Sequence, residues 1–150
     1  MKNAVLKDIK FLRMWPRKLF EKKNKNRLMI KKEVPALEGP GVYMLYRGDD
    51  LYYVGKANRL YRRLHDHSNK ATDEYYAHWD HFSAFAIVGT AKKARTKMTE
   101  FEAILIAAVP TATNRSKPRF NPVRIPRSLL TLRDRPLATA NSRQTAPDAN

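Results

Sequence analysis

Two short apolar runs, Gly41-Val42-Tyr43-Met44-Leu45-Tyr46 and Leu51-Tyr52-Tyr53-Val54-Gly55, flank the turn-forming segment Arg47-Gly48-Asp49-Asp50. Aromatic and branched residues fill the runs, and Gly and Asp fill the gap, so the stretch predicts a β-hairpin. From Ala57 to about His67 the pattern turns helical, with Leu60 and Leu64 as an inner ridge and Ala57 beside them. His81–Val88 alternates enough to predict a third strand, with Phe82, Ala84, Ala86 and Val88 on one side, and Gly89-Thr90 ends it. A last helix is expected from about Met98 to Val109, stopped by Pro110. The order β-β-α-β-α predicts an α/β or α+β fold around a small antiparallel sheet. No internal repeat interrupts it.

Charge narrows the partners. The chain carries 30 Lys and Arg against 14 Asp and Glu, a net +16 over 150 residues, with a pI of about 10.3. Such a particle attracts polyanions, and nucleic acid leads because counterion release rewards each cation set beside a phosphate. An anionic membrane surface is second. With no Cys, disulfides and Cys-ligated zinc are excluded. No apolar run nears the roughly 20 residues that span a bilayer. No apolar stretch follows the first basic residues as a secretory leader would require, so a cytoplasmic setting is expected.

The charge is uneven. Residues 1–38 hold net +8, residues 39–121 net +5 and residues 122–150 net +3. In the first segment Val5, Ile9 and Leu12 recur at helical spacing until Pro16, and Leu19 with Phe20 resume the pattern. This predicts a basic helical extension over 1–38, either an arm on a nucleic-acid backbone or a solvated helix packed by its apolar stripe. The domain proper is expected over 39–121. The extension over 122–150 lacks apolar periodicity from about 134 and is expected to be disordered.

Two helical-wheel relations matter. Arg63 and His67 are four apart, so they share a face that borders the Leu60/Leu64 ridge. Glu102 projects with Met98, Leu105, Ile106 and Val109, whereas Glu100 points away with Ala103 and Ile104. An inward carboxylate needs an Arg, a Lys or a metal ion, since leaving it unpaired costs several kcal/mol or more. The plainer alternative is a capping box between Thr99 and Glu102.

Gly41-Val42-Tyr43 and, ten residues on, Tyr53-Val54-Gly55 together resemble the signature of the GIY-YIG nuclease superfamily. So do Lys56-Ala57-x-x-Leu60-x-x-Arg63-Leu64-x-x-His67, Glu100-Phe101-Glu102-Ala103-Ile104-Leu105-Ile106 and Lys117-Pro118-Arg119-Phe120-Asn121. Tyr53–Leu64 is similar to the N-terminal nuclease domain of the excinuclease branch, while His67 resembles the homing-endonuclease branch. The resemblance covers about residues 39–121. It implies a three-stranded antiparallel sheet flanked by helices, and phosphodiester hydrolysis with Mg²⁺ or Mn²⁺. It also implies signature tyrosines at Tyr43 and Tyr53, a catalytic Arg63 and a metal-binding Glu102. Lys56, His67 and Asn121 match secondary positions, and Arg59, Lys56 and Asn121 are assigned to substrate binding. Asn114 rivals Asn121 because the gap after Glu102 is slightly long.

Cleavage needs a base, a counter-charge for the pentacovalent phosphate and an acid for the leaving oxygen. Arg63 offers a planar fork to phosphate oxygens, and Glu102 offers the hard oxygen ligand that Mg²⁺ prefers. The base is Tyr43, Tyr53, His67 or a water chain. Tyr43 is favoured, with Tyr53 holding the geometry or the two roles exchanged. Lys56, Arg63 and the metal are expected to lower the Tyr43 phenol value. His65-x-His67 and His78-x-x-His81 do not make a zinc site without Cys or the HExxH spacing. Trp79 is expected as a core or lid anchor, and Tyr46, Tyr52 and Tyr61 as packing. The expected partner is DNA, with RNA left open, and the chain is expected as a monomer or weak dimer without a membrane role. A non-catalytic nucleic-acid-binding module with the same fold is the alternative, and a basic RNA-associated structural protein is a third.

Overall fold

The computed structural model describes residues 7–21, 27–109 and 114. These residues all belong to one compact unit. Its strands are β1 (Ile9–Pro16), β2 (Gly41–Arg47), β3 (Asp50–Ala57) and β4 (His81–Ile87). Its helices are α1 (Arg27–Glu33), α2 (Leu60–Asn69) and α3 (Ala91–Ala108). Single 3-10 turns at Arg17–Phe20 and Pro35–Glu38 link the early elements.

The sheet is antiparallel throughout, in the order β1-β4-β2-β3. It has four strands where three were expected. The added strand, β1, occupies the stretch expected to be helical. Ile9 and Leu12 fit a helical spacing, but Phe11 and Trp15 fit a strand equally well, and β4 settles the choice. Without β1, the backbone groups along one side of β4 would be an open edge. Phe11 lies directly opposite Phe85 and stacks on it at 4.6 Å. A bulge between Leu12 and Trp15 is turned by Met14, whose φ is 52° and whose N–H donates to Ser83 Oγ at 3.0 Å. Leu12 and Phe20 enter the core, so the described stretch Ile9–Phe20 packs into the same fold as the sheet. Val5, residues 22–26, and the extension expected over 122–150 lie outside the described residues.

Both faces of the sheet are covered. On one face Tyr43, Leu45, Phe82, Ala84 and Ala86 pack with Leu60 and Leu64 of α2, together with Leu12, Phe20, Leu37 and Trp79. On the other, Val42, Met44, Val54 and Ile87 pack against Ala94 and Met98 of α3. Burial of both faces explains why β2 runs Gly-Val-Tyr-Met-Leu without a polar break. Each such Leu or Val contributes about 1.5–3 kcal/mol. Phe82, Ala84 and Ala86 share a face as expected, but Val88 lies past the strand end and is 50% exposed.

The helices differ from expectation at their starts. β3 runs through Ala57, so α2 begins at Leu60, whose N–H donates to the Gly39 carbonyl at 3.0 Å. α3 begins at Ala91, seven residues early, because its first two turns are mostly Lys, Arg and Thr and carry almost no apolar signal. Thr99 is therefore mid-helix and its hydroxyl donates to the Arg95 carbonyl at 3.1 Å. The capping-box alternative for Glu102 is thereby overturned.

Candidate active site

Tyr43 sits in the middle of β2 and its ring crosses beneath Gly55 of β3. A Cβ at residue 55 would lie 2.6 Å from both Cζ and the hydroxyl of Tyr43, and 2.6 Å from Cε1 of Tyr53. Glycine at 55 is what lets the two aromatic rings fill this space. Gly41 is equally constrained, because a Cβ there would lie 2.3 Å from the Phe85 carbonyl oxygen and 2.6 Å from Leu60.

The Tyr43 residue is 0% exposed. Its hydroxyl lies 2.8 Å from His67 Nε2, and Arg63 Nε donates to it over a longer 3.4 Å. The shared helix face of Arg63 and His67 thus converges on one phenol. His67 is also 0% exposed, and its Nδ1 lies 2.7 Å from an Asp73 carboxylate oxygen. Tyr53 stacks on Tyr75 at 4.1 Å and lies 6.0 Å from the Tyr43 ring.

Burial decides the electrostatics. It pushes the Tyr43 phenol well above its ordinary value, the nearby Tyr53 adds to the rise, and Arg63 opposes both without reversing them. For the protein's own groups this reverses the expected depression: the sequence displays the cations but not the desolvation. Burial likewise holds the His67 imidazole below its usual value, against the pull of Asp73.

Lys56 Nζ lies 2.9 Å from Glu102 Oε2 and donates to Thr99 Oγ1 at 3.3 Å. The Glu102 side chain is 21% exposed. The cation beside it is Lys56, one of the expected partners. Lys56 also lines a cleft of about 350 Å³ with Arg59, Arg62, Arg63 and Asp66. Four of its lining side chains are cationic and one is a carboxylate, with Lys56 paired to Glu102 and Arg59 to Glu38. Arg59 is tied to Glu38 at 3.0 Å along its rim.

Glu102 is the residue that could hold a divalent cation. Among the described residues no three His, Cys, Asp or Glu side chains converge as a metal cage. Mg²⁺ characteristically takes one or two carboxylates, several waters and substrate phosphate oxygens. A carboxylate joined to a basic cleft through Lys56 fits that pattern, and the Lys56 contact shows that the carboxylate attracts a cation.

Asn121 lies outside the described residues. Its rival Asn114 holds backbone instead: its side chain accepts from the Val54 N–H at 2.9 Å and donates to the Val54 carbonyl at 2.8 Å. The amide stands in for a neighbouring strand at the β3 edge, next to Gly55. Trp79 is a core residue, while His78 is exposed and His81 half-exposed. Sequence reasoning missed Asp73, Tyr75 and Arg62. Arg62 was within reach as a third Arg beside Arg59 and Arg63. Asp73 and Tyr75 carry no periodic signal and are brought in by the loop after α2.

A family model described as the GIY-YIG catalytic domain matches residues 39–115. Among solved structures, the chain is similar to the GIY-YIG N-terminal endonuclease domain of UvrC from Thermotoga maritima. A point mutant of that domain bound to the catalytic divalent cation is 24% identical, with a TM-score of 0.42 over 62% of this chain and 100% of that one. The same domain bound to magnesium is 25% identical, with a TM-score of 0.41 over 61% of this chain and 99% of that one. No curated protein matches the chain.

Proposed function

The chain belongs to the GIY-YIG family, and from that premise we propose that it is a divalent-metal-dependent endonuclease that hydrolyses phosphodiester bonds in DNA. The observation that carries this reading is the Tyr43 hydroxyl held between His67 and Arg63, with Arg63 also lining a basic cleft that reaches Glu102 through Lys56.

In this reading Arg63 turns from its long bond to Tyr43 onto a phosphate oxygen, gaining charge-assisted bonds and uncovering the phenol. As water attacks phosphorus, its proton passes to the Tyr43 oxygen while the Tyr43 proton passes to His67 Nε2. The new P–O bond forms as the bond to the leaving oxygen breaks. That oxygen keeps the electron pair and takes a proton from solvent. The exchange needs no free phenolate, which burial of Tyr43 would oppose. Tyr53 holds the Tyr43 ring in place. Lys56, Arg59 and Arg62 grip flanking phosphates, and Asn121 is assigned with them to substrate binding. Glu102 would hold Mg²⁺ or Mn²⁺, which when bound supplies Lewis-acid stabilisation of the charge building on the phosphate.

A net charge of +16 favours a nucleic acid as the polyanion, and DNA is the one we assign. No helix among the described residues is long and apolar enough to cross a membrane. We assign the chain to the cytoplasm as a monomer or weak dimer cutting one strand per visit. Supercoiled plasmid incubated with the protein and Mg²⁺ or Mn²⁺ tests the reading. Nicking that Arg63→Ala and Glu102→Ala both lose supports it. Binding without nicking in either metal would make the chain a binding module instead.

A further inference from the structure

Asp73 matches no part of the family signature, yet it is in direct contact with His67. We propose that Asp73 is a positioning residue that fixes His67 in the tautomer protonated at Nδ1 and stabilises the charge His67 gains when it takes the Tyr43 proton. The inference rests on the nuclease reading above.

A neutral imidazole carries one N–H and one lone pair, and its neighbours decide which nitrogen holds which. The carboxylate of Asp73 can only accept. At 2.7 Å it therefore places the proton on Nδ1. Nε2 is left as the acceptor, 2.8 Å from the Tyr43 hydroxyl, which donates to it. A lone pair of the Tyr43 oxygen accepts from Arg63. Every donor in the chain Tyr43–His67–Asp73 then has an acceptor, with the polarity running from phenol to carboxylate.

Asp73 is itself held in place. The oxygen that meets His67 also accepts from the Tyr75 backbone N–H at 2.9 Å, and the Asp73 N–H donates to the Lys70 carbonyl at 3.0 Å. Its side chain is 12% exposed. The Tyr75 ring meets the His67 ring edge-on at 5.1 Å and 89°, so one short loop segment fixes the imidazole by both a hydrogen bond and a ring contact. The groups facing His67 are Tyr43 from β2, Tyr53 from β3, Arg63 and Asp66 from α2, and Asp73 and Tyr75 from the loop. Arg63 disfavours a charged imidazole and Asp66 favours it. Asp73 is the only one of these carboxylates that the structure shows bonded to the ring.

The variants Asp73→Asn and Asp73→Ala separate charge from packing. Because one oxygen of Asp73 serves both His67 and Tyr75, an amide can keep both bonds while losing the charge. Two readouts are taken on the full chain: ¹⁵N chemical shifts of the His67 ring, assigned with His67→Gln, and single-turnover plasmid nicking in Mg²⁺ across pH. The wild-type ring is expected protonated at Nδ1. Asp73→Asn is expected to keep its melting temperature within a few degrees and to nick at least fivefold more slowly, with its pH profile displaced to lower pH. Asp73→Ala is expected to lose the Nδ1-protonated signal. A wild-type ring protonated at Nε2, or an Asp73→Asn rate within fivefold of wild type, overturns the proposal. A wild-type protein that nicks nothing overturns the parent reading instead, and the ¹⁵N shifts then still decide whether Asp73 sets the tautomer.

Discussion

Replacing Gly55 by alanine perturbs the centre of the site without touching a polar group. The new methyl would sit 2.6 Å from the Tyr43 Cζ and hydroxyl, against about 3.4 Å for an ordinary contact. The phenol would have to retreat by roughly 0.8 Å. It has little room, because the ring is fully buried beside Tyr53 and His67. A retreat of that size along the bond to His67 would stretch its 2.8 Å to about 3.6 Å, which is no longer a hydrogen bond. Overpacking of this kind costs about 1–3 kcal/mol. For a chain of this length each kcal/mol lowers the melting temperature by roughly 2–4 °C. Misplacing the phenol by about an ångström should cost on the order of 100-fold in rate. Thermal denaturation followed by circular dichroism reads the first effect, and single-turnover nicking reads the second. A Gly55→Ala protein with unchanged melting and unchanged rate would refute the idea that this glycine exists to admit the Tyr43 ring.

Other outcomes follow from the same structure. Deleting residues 1–33 removes β1, Leu12 and Phe20, so the truncated chain should lose its cooperative melting transition; a folded fragment that merely binds DNA less tightly would restore the separable basic arm. Burial holds the His67 value below about 6.5, so its contribution to stability is present above that pH and is lost as pH falls from 6.5 through the lower folded value. Melting temperature should therefore drop with acidification over that window, and His67→Gln should flatten the drop. Glu102→Ala should abolish nicking while leaving metal-free DNA binding within a fewfold of wild type in a gel-shift titration. Asn114→Ala frees a backbone N–H and carbonyl of Val54 and should cost about 1–2 kcal/mol in a denaturant titration.

What the sequence revealed was local. The hairpin around Arg47–Asp50, the Leu60/Leu64 ridge and the Arg63/His67 pairing follow from spacings of two to four residues, and each holds in the structure. What it concealed was set at long range. β1 is a strand because β4, some 70 residues away, needs a partner, and the pattern of Val5, Ile9 and Leu12 cannot express that. The first turns of α3 are hidden because exposed Lys and Arg leave no apolar stripe. Glu102 was legible as an inward carboxylate wanting a cation, but its partner Lys56 lies on another element. Asp73 and Tyr75 reach His67 from an irregular loop. The sign of the Tyr43 shift depends on burial, which appears only once α2 has been laid over β2 and β3.

The proposed chemistry turns on a single oxygen atom, the Tyr43 hydroxyl. Single-turnover cleavage of supercoiled plasmid in Mg²⁺ by Tyr43→Phe, beside Tyr53→Phe and wild type, tests it most directly. Tyr43→Phe removes that atom and keeps the ring that fills the core. The expected result is a folded protein whose rate falls at least about 100-fold, with Tyr53→Phe much less affected because its ring still stacks on Tyr75. A folded Tyr43→Phe protein that nicks at near the wild-type rate would contradict the assignment.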